Sequence, residues 1–419
     1  MIEENKWHFK PEDSIDGGKD LEEPIENELD PQNNNFPSPK IRVLFLTVDP
    51  NIQGPIPKID RLLLPALEDL GCDFTTNFWG RHSENETIFQ KMVGRLFDLF
   101  NAIRKLIRIK PDILYIATTL DEYSLARDIP LLILARFFSA RKVLMMHGSQ
   151  TSFLEQPGHK LFKFLTKILI QFSDAILLLS TEELQDWTHF APFGKYFVVS
   201  NPCELKNKNE LDRSNKRNLK PLHPTILFVG RLVRAKGIFD LIEAMPTILK
   251  KIDCNLLIAG EGDCKEEIQH RINEAYLGHS ISLLGYLDPV SLADIYRLST
   301  IFILPTFDHE GFPTVIAEAM SFGLPIITTA IRGTRDYLVD GINTLFVPPK
   351  SPQAIADSVI RLLVDPDLCL RMERANLMKV QDFRPERVAR RYMEGHVWPQ
   401  ELWVDWTLNH AEVLNKVGI

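Results

Sequence analysis

The chain has 419 residues, of which 45% are hydrophobic and 25% are charged, and its formal net charge is −8. This length allows two or three domains, and the hydrophobic share is sufficient for two cores. Eleven acidic residues but only four lysines fall within residues 1–40, so the net charge belongs mainly to this segment. The nearly neutral remainder gives no reason to expect a nucleic-acid partner.

Cysteine usage and apolar runs indicate the compartment. The five cysteines show no Cys-x-x-Cys spacing, which argues against a disulfide framework and a zinc site. The first residues include Glu3 and Glu4 and have no apolar core, so they do not resemble a signal peptide. The longest apolar stretch, residues 161–179, is interrupted by Lys163 and Asp174 among others, so it is too polar to span a bilayer. We therefore expect a cytoplasmic protein.

Alternating strand and helix patterns predict a first domain over residues 41–202. Residues 1–40 are acidic and lack apolar periodicity, so we expect a disordered tail. Residues 41–46 form a continuous apolar run of the kind found in buried parallel strands. Helical patterns separate this run from later strands, which is typical of a doubly wound, Rossmann-like α/β domain. Those strands are predicted at residues 72–76, 113–117, 142–146 and 175–179, and the first helix at residues 59–70.

A second alternation of the same kind predicts a second Rossmann-like domain over residues 224–382. Residues 203–223 before it are polar and unpatterned, so they predict a linker. Residues 383–419 after it contain three tryptophans and form a predicted C-terminal tail. The strands of the second domain are predicted at residues 225–229, 255–259, 282–284, 301–304, 325–328 and 344–347.

Two candidate residues of the first domain follow strands. Gly54 lies in the loop after the first strand, and His147 comes directly after the predicted strand at residues 142–146. Ligands of open α/β sheets bind at the carboxyl ends of strands, so His147 is a candidate ligand contact. A lone histidine at such a position can equally have a structural role.

Two cations follow the first strand of the second domain. Gly230 and Arg231 end this strand, and Lys236 lies at the predicted start of a helix. Arginine offers a planar fork to a diphosphate, and lysine offers a point charge. Two merely solvated cations would lie at the helix end whose dipole favours anions. Because an anionic ligand would resolve this conflict, we favour a phosphate-binding role.

Two further turns in the second domain carry weaker signals. Gly260 and Gly262 follow a strand, but the third glycine of a dinucleotide fingerprint is missing. Tyr286 and Leu287 follow the next predicted strand. Each turn could line a nucleotide pocket or be a plain turn.

Residues 309–320 (HEGFPTVIAEAM) place one carboxylate in a loop and a second inside the following helix. Pro313 suits a first helical turn and Gly323 suits the left-handed residue that ends a helix, so we predict a helix between them. Glu310 then lies at the carboxyl edge of the sheet, and Glu318 lies about one turn into the helix. Such glutamates are often simply solvated. Beside a helix N-terminus that suits a diphosphate, they also suit a polyhydroxylated ligand.

This pattern resembles the donor-site motif of family-4 retaining glycosyltransferases of the GT-B fold. The resemblance rests on two glutamates with seven residues between them, on Gly-Phe-Pro after the first, and on Ala-Met-Ser-Phe-Gly-Leu-Pro after the second. It extends roughly over residues 41–395 and includes the Gly-Arg and Lys-Gly pairs at residues 230–231 and 236–237. It implies two Rossmann-like domains that face a central cleft. It also implies a helical tail, residues 383–419, that crosses back to the first domain.

The resemblance further implies roles for individual residues. Arg231 and Lys236 would hold the diphosphate of a nucleotide-sugar donor. Glu318 would bind the ribose and Glu310 the sugar, and His147 would contact the sugar or handle a proton. The predicted catalytic residues are therefore His147, Arg231, Lys236 and Glu310. The predicted donor-binding residues are Gly54, Gly230, Arg231, Lys236, Gly260, Gly262, Tyr286, Leu287, Glu310, Gly311, Phe312, Pro313, Thr314 and Glu318.

The resemblance implies that the sugar is transferred with retention of configuration. No carboxylate of the first domain is an obvious nucleophile, so we expect a front-face, ion-pair-like departure of the nucleotide. We expect no cofactor and no metal, because the only Asp-x-Asp, Asp365 to Asp367, is remote from the motif. In place of a metal, Arg231 and Lys236 would stabilise the leaving diphosphate. The chain departs from the family where Gly54 alone remains of a Gly-Gly pair, which indicates an unusual acceptor side.

Residues 91–110 carry six cations, one acid and many large apolar residues at helical spacing. They predict an ordinary crossover helix, which the strand that follows supports. The same pattern suits an interfacial helix that binds anionic lipid. Peripheral contact with the inner face of a membrane is therefore a second, compatible expectation.

The function expected from the sequence is sugar transfer from a nucleotide-sugar to a saccharide or lipid-linked acceptor, in polysaccharide or glycolipid biosynthesis. A UDP-sugar is favoured over a GDP-sugar as donor. Two alternatives remain open. One is a sugar-nucleotide epimerase on the same fold. The other is a catalytically idle GT-B module that binds carbohydrate or a protein.

Overall fold

The structure, a computed structural model, describes residues 40–52, 54–80, 87–148, 151, 154, 159–205, 223–308 and 311–394. Nearly all of the predicted acidic tail and most of the predicted linker lie outside these residues. So do Glu310 and residues 395–419 of the predicted C-terminal tail. No helix among the described residues combines the length and the apolar character that crossing a bilayer requires.

The first sheet has six parallel strands in the order β2-β1-β3-β4-β5-β6. Its central strands are buried on both faces, which explains why they are continuous apolar runs in the sequence. The order reverses between β1 and β3, so this is a topological switch point. The strands are β1 Ile41–Thr47, β2 Cys72–Phe78, β3 Ile113–Thr118, β4 Arg141–Met146, β5 Ala175–Leu178 and β6 Tyr196–Val198.

Helices cover both faces of the first sheet. Alternate residues of β1 separate the two cores, with Leu44 and Leu46 facing one layer and Val43 and Phe45 facing the other. The layer on the Leu44 side contains most of the crossover helices. The helices are α1 Pro55–Glu68, α2 Ile88–Ile109, α3 Glu122–Ala135, α4 Lys160–Gln171 and α5 Thr181–Phe190.

The second sheet also has six parallel strands, in the order β12-β11-β10-β7-β8-β9. When β7 is counted as strand 1 and the sheet is read from β9, this order is 3-2-1-4-5-6, which is that of a Rossmann fold. The switch point lies between β7 and β10. One continuous apolar core holds this domain together. The strands are β7 Thr225–Val229, β8 Asn255–Ala259, β9 Ile281–Gly285, β10 Ile301–Leu304, β11 Ile326–Thr328 and β12 Thr344–Phe346.

The helices of the second domain alternate with these strands, and one short 3-10 turn, Arg234–Lys236, precedes the first of them. They are α6 Ile238–Leu249, α7 Lys265–Glu274, α8 Pro289–Leu298, α9 Thr314–Ser321, α10 Arg332–Tyr337, α11 Pro352–Val364 and α12 Pro366–Lys379. The expectation of two Rossmann-like domains is therefore confirmed by two parallel sheets, each flanked by helices.

The last described helix, α13 Pro385–Glu394, returns to the first domain. Val388 and Tyr392 belong to the apolar core on the Val43 face of the first sheet, and α13 packs against α1. The Tyr392 hydroxyl lies 3.7 Å from the Met145 sulfur of β4. The expected crossing of the C-terminal tail is thus confirmed for this helix.

Two helix starts differ from the sequence prediction. Helix α1 begins at Pro55, before the predicted start at residue 59, because proline is accepted in a first helical turn, where its missing N–H is not needed. Conversely, Pro313 precedes α9 as an extended N-cap residue with ψ 123° instead of forming its first turn. At the other end of α9, Gly323 has φ +68°, the left-handed conformation that the sequence predicted.

Candidate active site

Arg231 and Lys236 meet an acid at the switch point of the second sheet. Arg231 follows β7, and Asp308 follows the neighbouring strand β10. The Asp308 carboxylate lies 3.7 Å from the Arg231 guanidinium and 3.7 Å from the Lys236 ammonium. The carboxyl ends of two adjacent strands therefore hold both cations around one point, where open α/β sheets bind ligands.

Backbone contacts fix the loops that carry these side chains. Gly237 has φ +72°, and a Cβ at this position would lie 2.1 Å from the carbonyl oxygen of Pro305. Only glycine therefore allows the β10 loop to approach this closely. The Phe307 N–H donates to the Ala235 carbonyl at 2.8 Å, and the Thr306 hydroxyl donates to the same oxygen at 3.1 Å. The cation pair is thus placed by backbone hydrogen bonds as well as by its own charges.

The two cations differ in exposure. The Arg231 side chain is 71% exposed, whereas Lys236 is only 4% exposed. A buried ammonium requires anionic or hydrogen-bonding partners, because removing it from water is costly. The alternative of two merely solvated cations therefore fits Arg231 but not Lys236.

The Gly-x-Gly turn after β8 has a clear packing role. A Cβ on Gly260 would lie 1.9 Å from the Gly230 carbonyl oxygen, and one on Gly262 would lie 2.6 Å from the Leu232 carbonyl oxygen. These glycines let the β8 turn pack directly on the β7 loop that carries Arg231. In the neighbouring turn after β9, Tyr286 is exposed and Leu287 is half-buried. A nucleotide-binding role for these four residues stays a prediction.

Glu318 on α9 is held from both domains. The Lys58 ammonium of α1 lies 2.6 Å from one carboxylate oxygen, and the Tyr296 hydroxyl of α8 donates to the other at 3.4 Å. Burial raises the pKa of Tyr296 well above its usual range, and the Glu318 charge adds to this effect. Glu318 is therefore not a free surface acid, and its carboxylate lies at the junction of the two domains.

The loop that leads into α9 packs against the first domain. A Cβ on Gly311 would lie 2.3 Å from the Cβ of Leu179, at the end of β5. The Phe312 ring is buried and stacks on Phe383 at 4.8 Å between ring centroids. Its side chain belongs to the core, so any donor contact of Phe312 would use its backbone. Pro313 is buried and Thr314 is half-buried.

A buried ion pair links the two domains next to this loop. The Arg332 guanidinium of α10 lies 3.2 Å from Glu183 of α5, and both side chains are at most 1% exposed. Arg332 also donates to the Thr151 hydroxyl at 3.0 Å. Its φ is +41°, a left-handed value that is unusual for a residue with a side chain. The strained backbone thus occurs at the residue whose side chain contacts the first domain.

His147 lies at the carboxyl end of β4, where its backbone N–H donates to the Thr118 carbonyl at 2.9 Å. Desolvation lowers the pKa of His147 from 6.5 to about 4. The imidazole is therefore neutral near pH 7, which suits a hydrogen-bonding group better than a general acid. Gly54 directly precedes α1, and Lys58 follows it one turn later.

A second group with a shifted pKa lies in the first domain. Asp60 of α1 is buried and accepts a hydrogen bond from Thr47. Burial raises the pKa of Asp60 to about 6. His147 and Asp60 thus titrate differently in the folded and unfolded chain, and stability depends on pH through both.

We expect these two groups to have opposite effects between pH 7 and pH 5. The unfolded chain protonates His147 below pH 6.5 and the folded chain only near 4, so acidification costs stability. The folded chain protonates Asp60 near pH 6, before the unfolded chain does, so acidification adds stability. Acidification from pH 7 to pH 5 should therefore destabilise His147→Gln by about 2 kcal/mol less than it destabilises wild type. The same acidification should make the stability of Asp60→Asn about 1 kcal/mol less favourable relative to wild type than it is at pH 7. Urea unfolding at both pH values measures this, and an unchanged pH dependence in His147→Gln would mean an ordinary imidazole.

The structure thus brings together Gly230, Arg231, Lys236, Gly260 and Gly262 around the β7 loop, whereas Glu318 is placed at the domain junction. Lys58, Tyr296, Asp308 and Arg332 are neighbours that the sequence did not single out. Asp308 alone had a usable signal, since it is an acid that directly follows a buried strand. In the part of the chain that the structure describes, no three His, Cys, Asp or Glu side chains are grouped to hold a metal ion.

Comparison with known proteins finds a family model and several relatives that match part of the chain. Residues 209–377 match the family model described as "Glycosyl transferases group 1". Alpha-D-kanosaminyltransferase from Streptomyces kanamyceticus is 30% identical over 254 residues, which cover 57% of this chain and 66% of that protein. Among several curated relatives that it matches, the chain spans between 36% and 66% of their length.

Solved structures show a similar fold. Sucrose-phosphate synthase from Thermosynechococcus elongatus has a TM-score of 0.71 at 20% identity, over 87% of this chain and 100% of that one. HepE from Anabaena, solved in complex with UDP-glucose, has a TM-score of 0.64 at 15% identity, over 84% of this chain and 98% of that one. At these identities, the likeness concerns the fold alone.

Proposed function

Because residues 209–377 match the glycosyl transferases group 1 model and the chain has the GT-B fold, we propose that it transfers a sugar from a nucleotide-sugar donor to an acceptor. The donor binds mainly to the second domain and the acceptor mainly to the first. The reaction proceeds with retention and without a metal, as the resemblance to family 4 implies. The donor is a UDP-sugar in preference to a GDP-sugar.

The single observation that carries this proposal is the cation pair at the switch point between β7 and β10. Arg231 and the buried Lys236 both lie within 3.7 Å of Asp308, on loops fixed by backbone hydrogen bonds. A preformed cationic site of this kind suits a group that gains negative charge during the reaction, as the leaving nucleotide diphosphate does. Asp308 balances the two charges until an anionic ligand replaces it.

The remaining roles follow from the placement of the other residues. Glu318 accepts hydrogen bonds from the ribose hydroxyls, and Glu310, outside the described residues, binds hydroxyls of the transferred sugar. His147, neutral near pH 7, hydrogen-bonds the donor sugar from the first domain. The acceptor attacks from the face on which the nucleotide departs, so the configuration is retained without an enzyme nucleophile.

The acceptor in this proposal is a saccharide or a lipid-linked saccharide, and the product belongs to polysaccharide or glycolipid biosynthesis. The first domain presents Gly54 and α1 at the acceptor side, without the Gly-Gly pair of the resembled family. This side of the chain therefore differs most from the family pattern, and it is where acceptor specificity is set. The protein acts in the cytoplasm, at the inner face of a membrane.

A thermal-shift screen with UDP-, GDP- and ADP-sugars, followed by a transfer assay, tests the proposal. A ligand that binds only the folded protein stabilises it by about 2.7 kcal/mol at a hundred times its dissociation constant. We expect stabilisation by a UDP-sugar and release of UDP when an acceptor is added. Release of an epimerised nucleotide-sugar would identify an epimerase instead. Binding without turnover across a panel of acceptors would identify an idle module.

Replacing Glu318 by Gln should weaken donor binding by about 1–3 kcal/mol, the range for a hydrogen bond to a charged group. A neutral amide is the poorer acceptor for ribose hydroxyls, and it keeps the shape of the side chain. Calorimetric titration with the nucleotide-sugar measures the change in affinity. Unchanged affinity in a folded variant would remove the ribose assignment.

The matched control for Glu318→Gln is Lys58→Met, which removes the 2.6 Å ion pair but leaves the carboxylate in place. The Lys58 side chain is 45% exposed, and ion pairs of this kind contribute at most about 1 kcal/mol. Nucleotide affinity should therefore hold or rise slightly, because Lys58 no longer competes for Glu318. An equal loss in both variants would mean that the ion pair matters for binding instead of the carboxylate alone.

Chelation should leave transfer intact. In this proposal, Arg231, Lys236 and the N–H groups of α9 stabilise the leaving diphosphate without a metal ion. The measurement is the initial rate in excess EDTA against the rate in added Mg²⁺ or Mn²⁺. Loss of activity that either cation restores would overturn the metal-independent mechanism.

A further inference from the structure

Helix α2 has two apolar faces, although only one of them packs on the sheet. Ala102 and Leu106 are fully buried in the core of the first domain. On the opposite side, five large apolar side chains are between 49% and 67% exposed. These are Val93, Leu96, Phe97, Phe100 and Ile107. Packing within the domain therefore explains only one of the two apolar faces of this helix.

Helical geometry places the exposed residues on one stripe. Positions 93, 96, 97, 100 and 107 follow the three- and four-residue spacing of a single helix face. Arg104 and Arg108 lie on the same stripe and are exposed. Among the described residues, no carboxylate is paired with either of them. The outer side of α2 thus alternates bulky apolar and cationic groups.

Two neighbouring helices extend this surface. Helix α3 packs against both α2 and α4, so the three helices form one continuous layer over the first sheet. The outer sides of α3 and α4 are also apolar, and Phe137, just beyond α3, is 82% exposed. We call this layer the basic apolar face. Besides the α2 stripe, it includes the exposed residues Tyr123, Pro130, Ile133, Leu134, Phe137, Leu161 and Phe164.

The charge of this face is one-sided. Helices α2, α3 and α4 together contain nine Lys or Arg and three Asp or Glu. Two of these acids, Asp98 and Asp128, are buried and do not face solvent. Such a surface complements a partner that is apolar and negatively charged at once. A second copy of the same face would instead bring like charges together.

We propose that the basic apolar face docks on a bilayer that contains anionic lipid. A lipid surface provides an environment for both kinds of side chain. The apolar rings enter the acyl boundary, and the cations remain among the anionic headgroups. Long lysine and arginine stems reach the headgroups from beside buried apolar residues. Contiguous exposed apolar side chains rimmed by polar groups are typical of interaction sites on protein surfaces.

Docking would place the first domain, where the acceptor binds, against the lipid surface. That consequence rests on the proposed function and favours a lipid-linked acceptor over a free saccharide. The docking itself rests only on exposure and charge. Vesicle binding therefore tests the docking without any assay of transfer.

The experiment is co-sedimentation of the full chain with two kinds of vesicle. One kind contains phosphatidylcholine alone, and the other contains in addition about 30% phosphatidylglycerol, which supplies an anionic surface. The wild type should bind the anionic vesicles and bind phosphatidylcholine weakly. Phe97→Glu/Phe100→Glu should bind anionic vesicles at least about tenfold less tightly, because it places charge where rings would enter the bilayer. Arg104→Gln/Arg108→Gln should bind more weakly and depend less on salt.

The matched control is Val290→Glu/Val364→Glu, which introduces the same charge at two exposed apolar positions of the second domain. This control should bind vesicles like wild type. A nucleotide-sugar thermal shift in each variant reports separately on the fold and on the donor site.

Four outcomes overturn the proposal. One is equal binding to both vesicle types, and another is unchanged binding by Phe97→Glu/Phe100→Glu. The third is binding that appears only after deletion of residues 1–40, which would assign the face to that acidic segment. Self-association that Phe97→Glu/Phe100→Glu abolishes, without vesicle binding by wild type, would assign the face to a second copy.

Discussion

Replacing Arg231 by Gln and Lys236 by Met should lower the turnover number by more than about 10²–10³-fold, the loss typical for removing one preorganised donor. The value of the two cations grows as the leaving diphosphate gains negative charge. The loss should therefore fall on the chemical step more than on ground-state affinity for the nucleotide. The measurement is turnover number and nucleotide affinity for the double variant, beside its melting temperature.

The structure dictates the choice of substitutions. Lys236 is buried, so alanine would leave a cavity beside Asp308, whereas methionine keeps most of the volume. Arg231 is largely exposed and tolerates glutamine. The carboxylate of Asp308 loses two cationic neighbours, so some loss of stability is expected. A melting temperature that stays above the assay temperature keeps the kinetic result interpretable.

Arg234→Gln is the matched control for this double variant. Arg234 lies in the same 3-10 turn as Lys236 but pairs with Glu267 of α7 at 2.5 Å, away from Asp308. Its loss removes one cation from the same loop without touching the proposed phosphate site. We expect turnover within a few-fold of wild type. Equal losses in both variants would point to general electrostatics of the loop and against a specific phosphate clamp.

The strands of the second domain were the most predictable elements. Thr225–Val229, Asn255–Ala259 and Ile301–Leu304 agree with their predicted bounds. Each is an apolar run because helices cover both faces of a parallel sheet, and each is followed by a polar or turn residue. The sequence pattern therefore predicts correctly the sheet edge that carries Arg231.

Contacts between distant parts of the chain were not predictable in this way. Lys58 and Glu318 are separated by 260 positions, and their meeting depends on how the two domains pack. Asp308 follows β10, and only the strand order, which puts β10 beside β7, shows that it faces Arg231. Periodicity specifies which face of an element is buried, but not which elements become neighbours.

Arg332 is the clearest case of a residue without a sequence signal. Its left-handed backbone is a conformation that glycine favours, and non-glycine residues there cost about 1–3 kcal/mol. An arginine in a polar segment reads as a surface residue, yet this one is buried between the domains. The charge of Glu183, itself at the start of α5, explains the burial.

Arg332→Met should destabilise the protein by about 3–5 kcal/mol, because it leaves the buried Glu183 carboxylate without its cationic partner. Glu183 has 0% side-chain exposure, so water cannot replace the guanidinium without opening the junction. Arg335→Met is the matched control on the same helix. The Arg335 side chain is 64% exposed and lies 3.9 Å from Glu182, so its loss should cost less than about 1 kcal/mol. Urea unfolding followed by far-ultraviolet circular dichroism measures both variants.

Adding Glu183→Gln to Arg332→Met should restore part of the lost stability, because it removes the uncompensated charge itself. The amide oxygen can still accept the hydrogen bond that the Leu179 N–H donates to Glu183 at 3.0 Å. The double variant should therefore be more stable than Arg332→Met alone. Its loss of stability should be smaller than the sum of the two single losses by a coupling of about 1–3 kcal/mol. Additive losses would mean that the two charges do not stabilise each other. The left-handed backbone at Arg332 would then need another explanation than the ion pair that joins α10 to α5.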